Sequence, residues 1–94
     1  FIKLFTKSCF GFVMLFNQQR NSQGEEDMQA LTRELIDYAQ SCSGSYYLPY
    51  RRHASTEQLL HNYPEWPLFC ARKKFYDPSE LFDNKFYRTY CPAK

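Results

Sequence analysis

The density of aromatic side chains is the feature that most constrains how this chain can fold. Nine Phe, eight Tyr and one Trp occur among 94 residues, and many are crowded into the stretch KKFYDPSELFDNKFYRTY at residues 73–90. A domain of this length buries only about 60–65% of its unfolded surface, so its core is small. Because such a core cannot bury this much aromatic surface, we expect part of it to meet a partner or another part of a larger protein.

The beginning of the chain also suggests a fragment. It opens at Phe1, without an initiator Met, and runs directly into strand-like sequence. The apolar run at residues 9–16, CFGFVMLF, is shorter than the about 20 residues that a membrane span takes. It lacks the charged leader and the small-residue cleavage site of a signal peptide. We therefore expect a piece of a larger cytoplasmic protein.

Charge and cysteine content point to no particular ligand. The formal net charge is +2, and charged residues are spread along the chain without a polybasic or acidic block. The four cysteines, Cys9, Cys42, Cys70 and Cys91, are widely separated, unlike the CxxC pairs of zinc sites or the dense cysteines of a disulfide scaffold. We expect them to be reduced, as in a cytoplasmic protein.

Three short segments of the first half have the pattern of strands. Residues 1–5 and 9–17 are rich in Phe, Val and Ile. The second segment is apolar on both alternating sets, as in a strand covered on both faces. Residues 45–52, SYYLPYRR, predict a short edge strand, because Pro49 cannot donate to a ladder.

One amphipathic helix is predicted between the second and third of these strands. Apolar residues recur at intervals of three and four over residues 25–41, which is the spacing of a helix with one apolar stripe. Ser22, three residues before Glu25, is a helix start signal, and Gly44 is a typical stop. The order of elements in the first half is therefore β-β-α-β.

The second half predicts helices separated by proline breaks. Ser55 precedes the helical sequence TEQLLHNY as a cap, and Pro64 ends it. Pro67 stands where a second helix begins, and that helix continues to the break at Asp77 and Pro78. The remainder predicts a further turn or short helix.

Together these elements predict an α+β fold. It consists of a small antiparallel sheet, one amphipathic helix packed on the sheet, and a C-terminal helical extension. Residues 1–54 form the β-β-α-β unit in this prediction, and residues 55–94 form the helical segment.

Familiar catalytic and binding motifs are missing from the sequence. The two histidines, His53 and His61, have no nucleophile elbow near them, and no HExxH, CxxC or glycine-rich phosphate loop occurs. We therefore expect no metal site. Tyrosines stand beside Arg51 and Arg52 in YYLPYRRH, but acidic residues nearly cancel the basic ones across the chain, and we expect no nucleic-acid binding.

The order of short motifs in the second half resembles a known family. Residues 44–90 contain Tyr-Leu-Pro at 47–49, then a helix, then a lysine at 73 or 74 followed by Tyr-Asp-Pro at 76–78, then a Leu-Phe turn with an Asn. This order is similar to the C-terminal end of FAD-linked oxidases of the vanillyl-alcohol oxidase superfamily. The residues before it resemble the strand pair and helix of the substrate, or cap, domain of that family.

The resemblance implies an oxidoreductase whose flavin accepts a hydride from a small-molecule substrate. FAD would be bound mainly by an N-terminal domain that is absent here, and that domain of the same chain would be the principal partner. The isolated piece is then expected to be inactive. By family analogy, Tyr47, Arg52 and His53 would act on the substrate side of the flavin, and Asn84 and Lys74 would contact the cofactor.

A second interpretation stays open beside this one. The chain could be an independent small interaction module whose aromatic residues dock a protein partner. Under either interpretation, exposed Phe and Tyr clusters predict self-association of the isolated chain.

Overall fold

Over the residues that it describes, 8–47 and 51–91, a computed structural model of the protein has four helices. They are α1 (Ser22–Ser41), α2 (Thr56–Asn62), α3 (Trp66–Tyr76) and α4 (Lys85–Tyr90). These residues contain no strand and no sheet, so the predicted α+β fold is wrong. The first predicted strand, at residues 1–5, lies outside the described residues.

The exposure of residues 9–17 shows why the strand prediction fails. These side chains are not covered on two faces, since Phe10 is 89% exposed and Leu15 is 94% exposed. A strand needs a neighbouring strand for its backbone groups and a layer over its apolar side chains. The described part of the chain supplies neither of these. The described part of residues 45–52 is also irregular, and residues 48–50 lie outside the description.

Capping interactions determine the two ends of α1. The helix begins at Ser22, three residues earlier than predicted, because Asn21 is its N-cap. The Asn21 side chain accepts a hydrogen bond from the backbone N–H of Gly24 at 2.7 Å. The predicted stop near Gly44 is confirmed, although Ser43 is the residue that takes the left-handed conformation, with φ of 61°.

Local signals also place α2 and α3 correctly. Ser55 caps α2 and forms a reciprocal capping box with Gln58. The helix ends before Pro64, as predicted. Pro67 lies in the first turn of α3, which ends before Asp77. These predictions are confirmed because each depends on residues within one or two turns of the helix end.

The turn after α3 is organised by the carboxylate of Asp77. It accepts hydrogen bonds from the backbone N–H groups of Leu81 and Phe82, both at 2.9 Å. It also pairs with Lys73 Nζ at 2.5 Å. The hydrogen bond from Lys73, followed by that from the Phe82 backbone, lowers the pKa of Asp77 below its ordinary value. A charged acceptor therefore holds the chain as it leaves α3.

The hydrophobic core lies in the second half of the chain and contains a disulfide. Cys70 in α3 is bonded to Cys91, the residue after α4. We expected all four cysteines to be reduced, and this is wrong for these two, because the fold brings together residues 21 positions apart. Cys9 and Cys42 are free and exposed. We call the buried set around the disulfide the core cluster; it consists of Leu59, Tyr63, Trp66, Cys70, Tyr87, Tyr90 and Cys91.

Helices cross a membrane only when they are long and apolar. Within residues 8–47 and 51–91, none combines the length and the apolar character that crossing a bilayer requires.

Candidate functional site

A cleft of about 510 Å³ opens between the N-terminal half of α1 and the segment that precedes α2. Residues of α1 form one wall, residues 51–53 form another, and Thr89 of α4 contributes at the edge. Two of the predicted site residues, Arg52 and His53, lie here. The lining residues are Ser22, Glu25, Glu26, Gln29, Arg51, Arg52, His53 and Thr89.

His53 is buried at the base of this cleft, with 5% of its surface exposed. Its Nε2 lies 2.7 Å from Glu25 Oε2, and its Nδ1 lies 3.4 Å from Thr32 Oγ1. Its backbone oxygen accepts a hydrogen bond from Arg33 Nε at 2.8 Å. Both ring nitrogens therefore have partners on α1. This geometry makes His53 a positioning residue that fixes α1 against residues 51–54.

Glu25 is the charged centre of the cleft. Besides His53, its carboxylate binds Arg51 Nη2 at 2.6 Å and Gln18 Nε2 at 3.1 Å. The hydrogen bonds from His53, Gln18 and Arg51, in that order of importance, lower the pKa of Glu25 from 4.5 to about 2. The carboxylate is therefore ionised at neutral pH, and it neutralises Arg51.

Arg52 presents the less compensated guanidinium of the cleft. Its Nη1 donates to Thr89 Oγ1 at 3.3 Å, which is a long bond to a neutral acceptor. The side chain is exposed and lines the cleft. A guanidinium has five N–H donors in a planar fork, and this geometry suits a carboxylate or phosphate. Arg52 is therefore the residue of the cleft best suited to bind an anionic group.

Tyr90 of α4 holds the segment that carries the cleft residues 51–53. The Tyr90 hydroxyl donates to the backbone oxygen of Ala54 at 2.7 Å, next to His53 in the chain. Trp66 Nε1 donates to the backbone oxygen of Tyr90 at 3.1 Å. Burial raises the pKa of Tyr90, so the hydroxyl keeps its proton and remains a donor. The core cluster thus holds the segment that carries the cleft residues.

The other three predicted site residues do not line the cleft. Tyr47 follows α1 and is about half exposed. Lys74 is in the last turn of α3 and is partly buried. Asn84 is the N-cap of α4, and its side-chain oxygen accepts a hydrogen bond from the backbone N–H of Tyr87 at 2.8 Å. The structure therefore brings Arg52 and His53 together and leaves Tyr47, Lys74 and Asn84 elsewhere.

Two residues of this region were missed at the level of sequence. Glu25 was noted only as a helix start signal, although it pairs with His53 from 28 positions away. Gln58 donates from Nε2 to the backbone oxygen of Arg33 at 2.9 Å and to Asp37 Oδ1 at 2.8 Å. The spacing of Ser55 and Gln58 signals a capping box, but no local pattern reports contacts to another helix.

A separate exposed apolar region surrounds the Asp77 turn, and we call it the aromatic turn, residues 75–82. The rings of Phe75 and Tyr76 meet edge to face, with centroids 5.0 Å apart. These two residues are 77% and 80% exposed, and Leu81 and Phe82 are 76% and 73% exposed. Side chains this apolar are usually covered when they cluster, so the aromatic turn is a candidate contact surface.

The described residues offer no metal centre, because they contain no group of three or more His, Cys, Asp or Glu side chains placed to hold an ion. Comparison of the chain with protein-family models, with curated proteins and with solved structures finds no match.

Proposed function

We propose that this chain is the C-terminal part of an FAD-dependent oxidoreductase of the vanillyl-alcohol oxidase type. The observation that supports the proposal is that the aromatic turn is held in place by Asp77 while its apolar side chains stay exposed. Asp77 draws the backbone of Leu81 and Phe82 back toward α3, and the apolar side chains on both sides of Asp77 remain exposed. A segment that returns to a second domain must present an uncovered surface of this kind.

In this proposal the described residues touch one side of the flavin, and another domain encloses it. No glycine-rich loop for a pyrophosphate occurs in the sequence, so FAD would be held mainly by another domain. Asn84 uses its side-chain oxygen to cap α4, which leaves its NH₂ group as the donor toward a ring oxygen or nitrogen. Lys74, in the last turn of α3, is next to Phe75 and so to the aromatic turn. When bound, the flavin supplies hydride acceptance.

The three residues proposed for the substrate side of the flavin would have different roles. Arg52 has donors free for an anionic group of a small-molecule substrate, since its bond to Thr89 uses one of them. His53 would help to position Arg52, because its ring nitrogens contact Glu25 and Thr32 and so hold this segment against α1. Tyr47 is about half exposed and would contribute from outside the cleft.

The test is flavin content in the complete product of the gene. We expect a yellow protein that absorbs at about 450 nm, a property of the bound cofactor. Replacing Phe75 and Phe82 together by Ser should reduce the flavin retained after gel filtration, because the contact between domains would be weakened. Leu68→Ser changes another exposed apolar residue, outside the aromatic turn, and should leave flavin content unchanged. A colourless, flavin-free product would rule the proposal out.

The exposed aromatic turn also favours the second candidate, an independent interaction module. That interpretation predicts a flavin-free product in which the Phe75→Ser and Phe82→Ser changes together abolish binding to a protein partner. The absorption spectrum of the complete product therefore separates the two functions.

A further inference from the structure

Helix α1 is attached to the rest of the described structure mainly by polar contacts. No residue of the core cluster belongs to α1. Ile36 is the one buried apolar side chain that α1 contributes within the described residues. The remaining apolar stripe of the helix is only partly covered, including Met28, Leu31 and Leu35.

One set of polar contacts lies in the second half of α1 and involves His53 and α2. Arg33 Nε donates to the His53 backbone oxygen at 2.8 Å, and Thr32 Oγ1 lies 3.4 Å from His53 Nδ1. Gln58 Nε2 donates to the Arg33 backbone oxygen and to Asp37 Oδ1. Asn62 Nδ2 donates to Gln40 Oε1 at 2.9 Å. These hydrogen bonds hold the C-terminal half of α1 against α2.

The other set is the Glu25 latch, which we define as Glu25 with its partners His53 and Arg51. It lies in the first turn of a helix of 20 residues, which is about 30 Å long. The latch bonds are 2.6 Å and 2.7 Å, and Glu25 and Arg51 are each about half exposed. Exposed ion pairs contribute little in water and are weakened by salt.

We propose that α1 is a hinged wall of the cleft, which turns about its C-terminal end and is held closed at its N-terminal half by the Glu25 latch. The wall consists of Ser22, Glu25, Glu26 and Gln29, all in the first half of the helix. Opening the latch therefore widens the cleft while the disulfide-closed core cluster stays folded. This inference does not depend on the proposed flavin chemistry.

The charge on Glu25 makes opening of the latch depend on pH. Its ionised carboxylate faces Arg51 and the His53 ring on the segment before α2, and protonation of Glu25 would remove the ion pair with Arg51 and the charged partner of His53. Because the pKa of Glu25 is depressed, the latch is intact above about 4.5 and is lost as pH falls toward about 2. The titratable and charged groups around Glu25 and His53 are Glu26 and Arg33 of α1, Arg51 and Arg52 before α2, and Tyr90 of α4.

The test is hydrogen exchange of the full chain, measured by mass spectrometry and expressed as protection factors. In Glu25→Gln we expect protection of residues 22–33 to fall by about twofold to fivefold, with residues 55–91 unchanged. Glu34→Gln is the matched control, because Glu34 is an exposed acid of the same helix. It should behave as the wild type.

Three results would overturn the proposal. They are unchanged protection in Glu25→Gln, an equal loss in residues 55–91, and an equal loss in Glu34→Gln. Acidification of the wild type from pH 6 to pH 3 provides a measurement that needs no variant. Residues 22–33 should lose protection before residues 55–91, and simultaneous loss in both regions would contradict a hinged α1.

Discussion

Gln58 is a buried amide with partners on both of its polar atoms. Its Oε1 accepts a hydrogen bond from the backbone N–H of Ser55 at 3.0 Å. Its Nε2 donates to the backbone oxygen of Arg33 and to Asp37 Oδ1. One side chain therefore completes the N-terminal cap of α2 and also fastens α2 to α1. Burial of an amide is favourable only when its hydrogen bonds are made.

Gln58→Ala should lower the free energy of unfolding by about 2 kcal/mol. The variant leaves the N–H of Ser55, the backbone oxygen of Arg33 and the carboxylate of Asp37 without this partner, and a partly buried group that loses its hydrogen bond retains part of its desolvation penalty. Urea denaturation followed by far-UV circular dichroism measures the change. Gln29→Ala is the control, because Gln29 is on α1 without a hydrogen bond of this kind among the described residues, and it should change stability by less than about 0.5 kcal/mol.

At the scale of one element, α4 depends on its surroundings for its existence. It has six residues, fewer than an isolated helix needs for stability in water. Asn84 satisfies its first turn, and Tyr87 and Tyr90 anchor it in the core cluster. The Tyr87 hydroxyl donates to Glu80 Oε1 at 2.8 Å. Burial, and then Glu80, raise the pKa of Tyr87 to about 12, so this bond persists at neutral pH.

Asn84→Ala should destabilise the chain by about 1 kcal/mol, because α4 loses its N-cap acceptor. Asn84→Asp keeps a side-chain oxygen at the cap and should be nearly neutral for stability, as denaturation midpoints would show. The same pair of variants separates capping from cofactor contact in the complete protein. If the amide NH₂ donates to the flavin, Asn84→Asp alters the flavin spectrum even though the cap is kept; an unchanged spectrum would leave Asn84 as a cap only.

At the scale of the whole molecule, stability is unevenly distributed. The core cluster and the Cys70–Cys91 disulfide lie within residues 59–91, whereas α1 joins mainly through polar contacts. Residues 9–17 remain exposed. Regions with little buried apolar surface open at lower free energy than a packed core. The second half of the chain is therefore expected to be the last part of the described structure to unfold.

Replacing Cys70 and Cys91 together by Ala should cost about 3 kcal/mol, since the bridge closes a loop of 21 residues in the unfolded chain. Adding reductant to the wild type should lower its denaturation midpoint in the same direction. Cys42→Ala, at an exposed free cysteine, should leave the midpoint unchanged. A wild-type midpoint that does not respond to reductant would show that the two thiols are not bridged.

The sequence by itself determined α2, α3 and the approximate bounds of α1. Ser55, Pro64, Pro67 and the break at Asp77 act on backbone groups within about one turn of themselves, so their effect can be read without a fold. The same locality explains the failure at residues 9–17. A continuous apolar run forms a strand only if other chain segments pair with it and cover both of its faces, and the sequence pattern does not specify that they do.

Only the tertiary structure decided the contacts between distant positions. Glu25 meets His53 across 28 residues, and Cys70 meets Cys91 across 21. These pairs form because the core cluster packs α3 and α4 together and because Tyr90 holds the segment before α2. Packing of this kind depends on side-chain volumes throughout the core cluster. For that reason Glu25 of α1 lines the same cleft as Arg52 and His53, and the ring nitrogens of His53 contact α1.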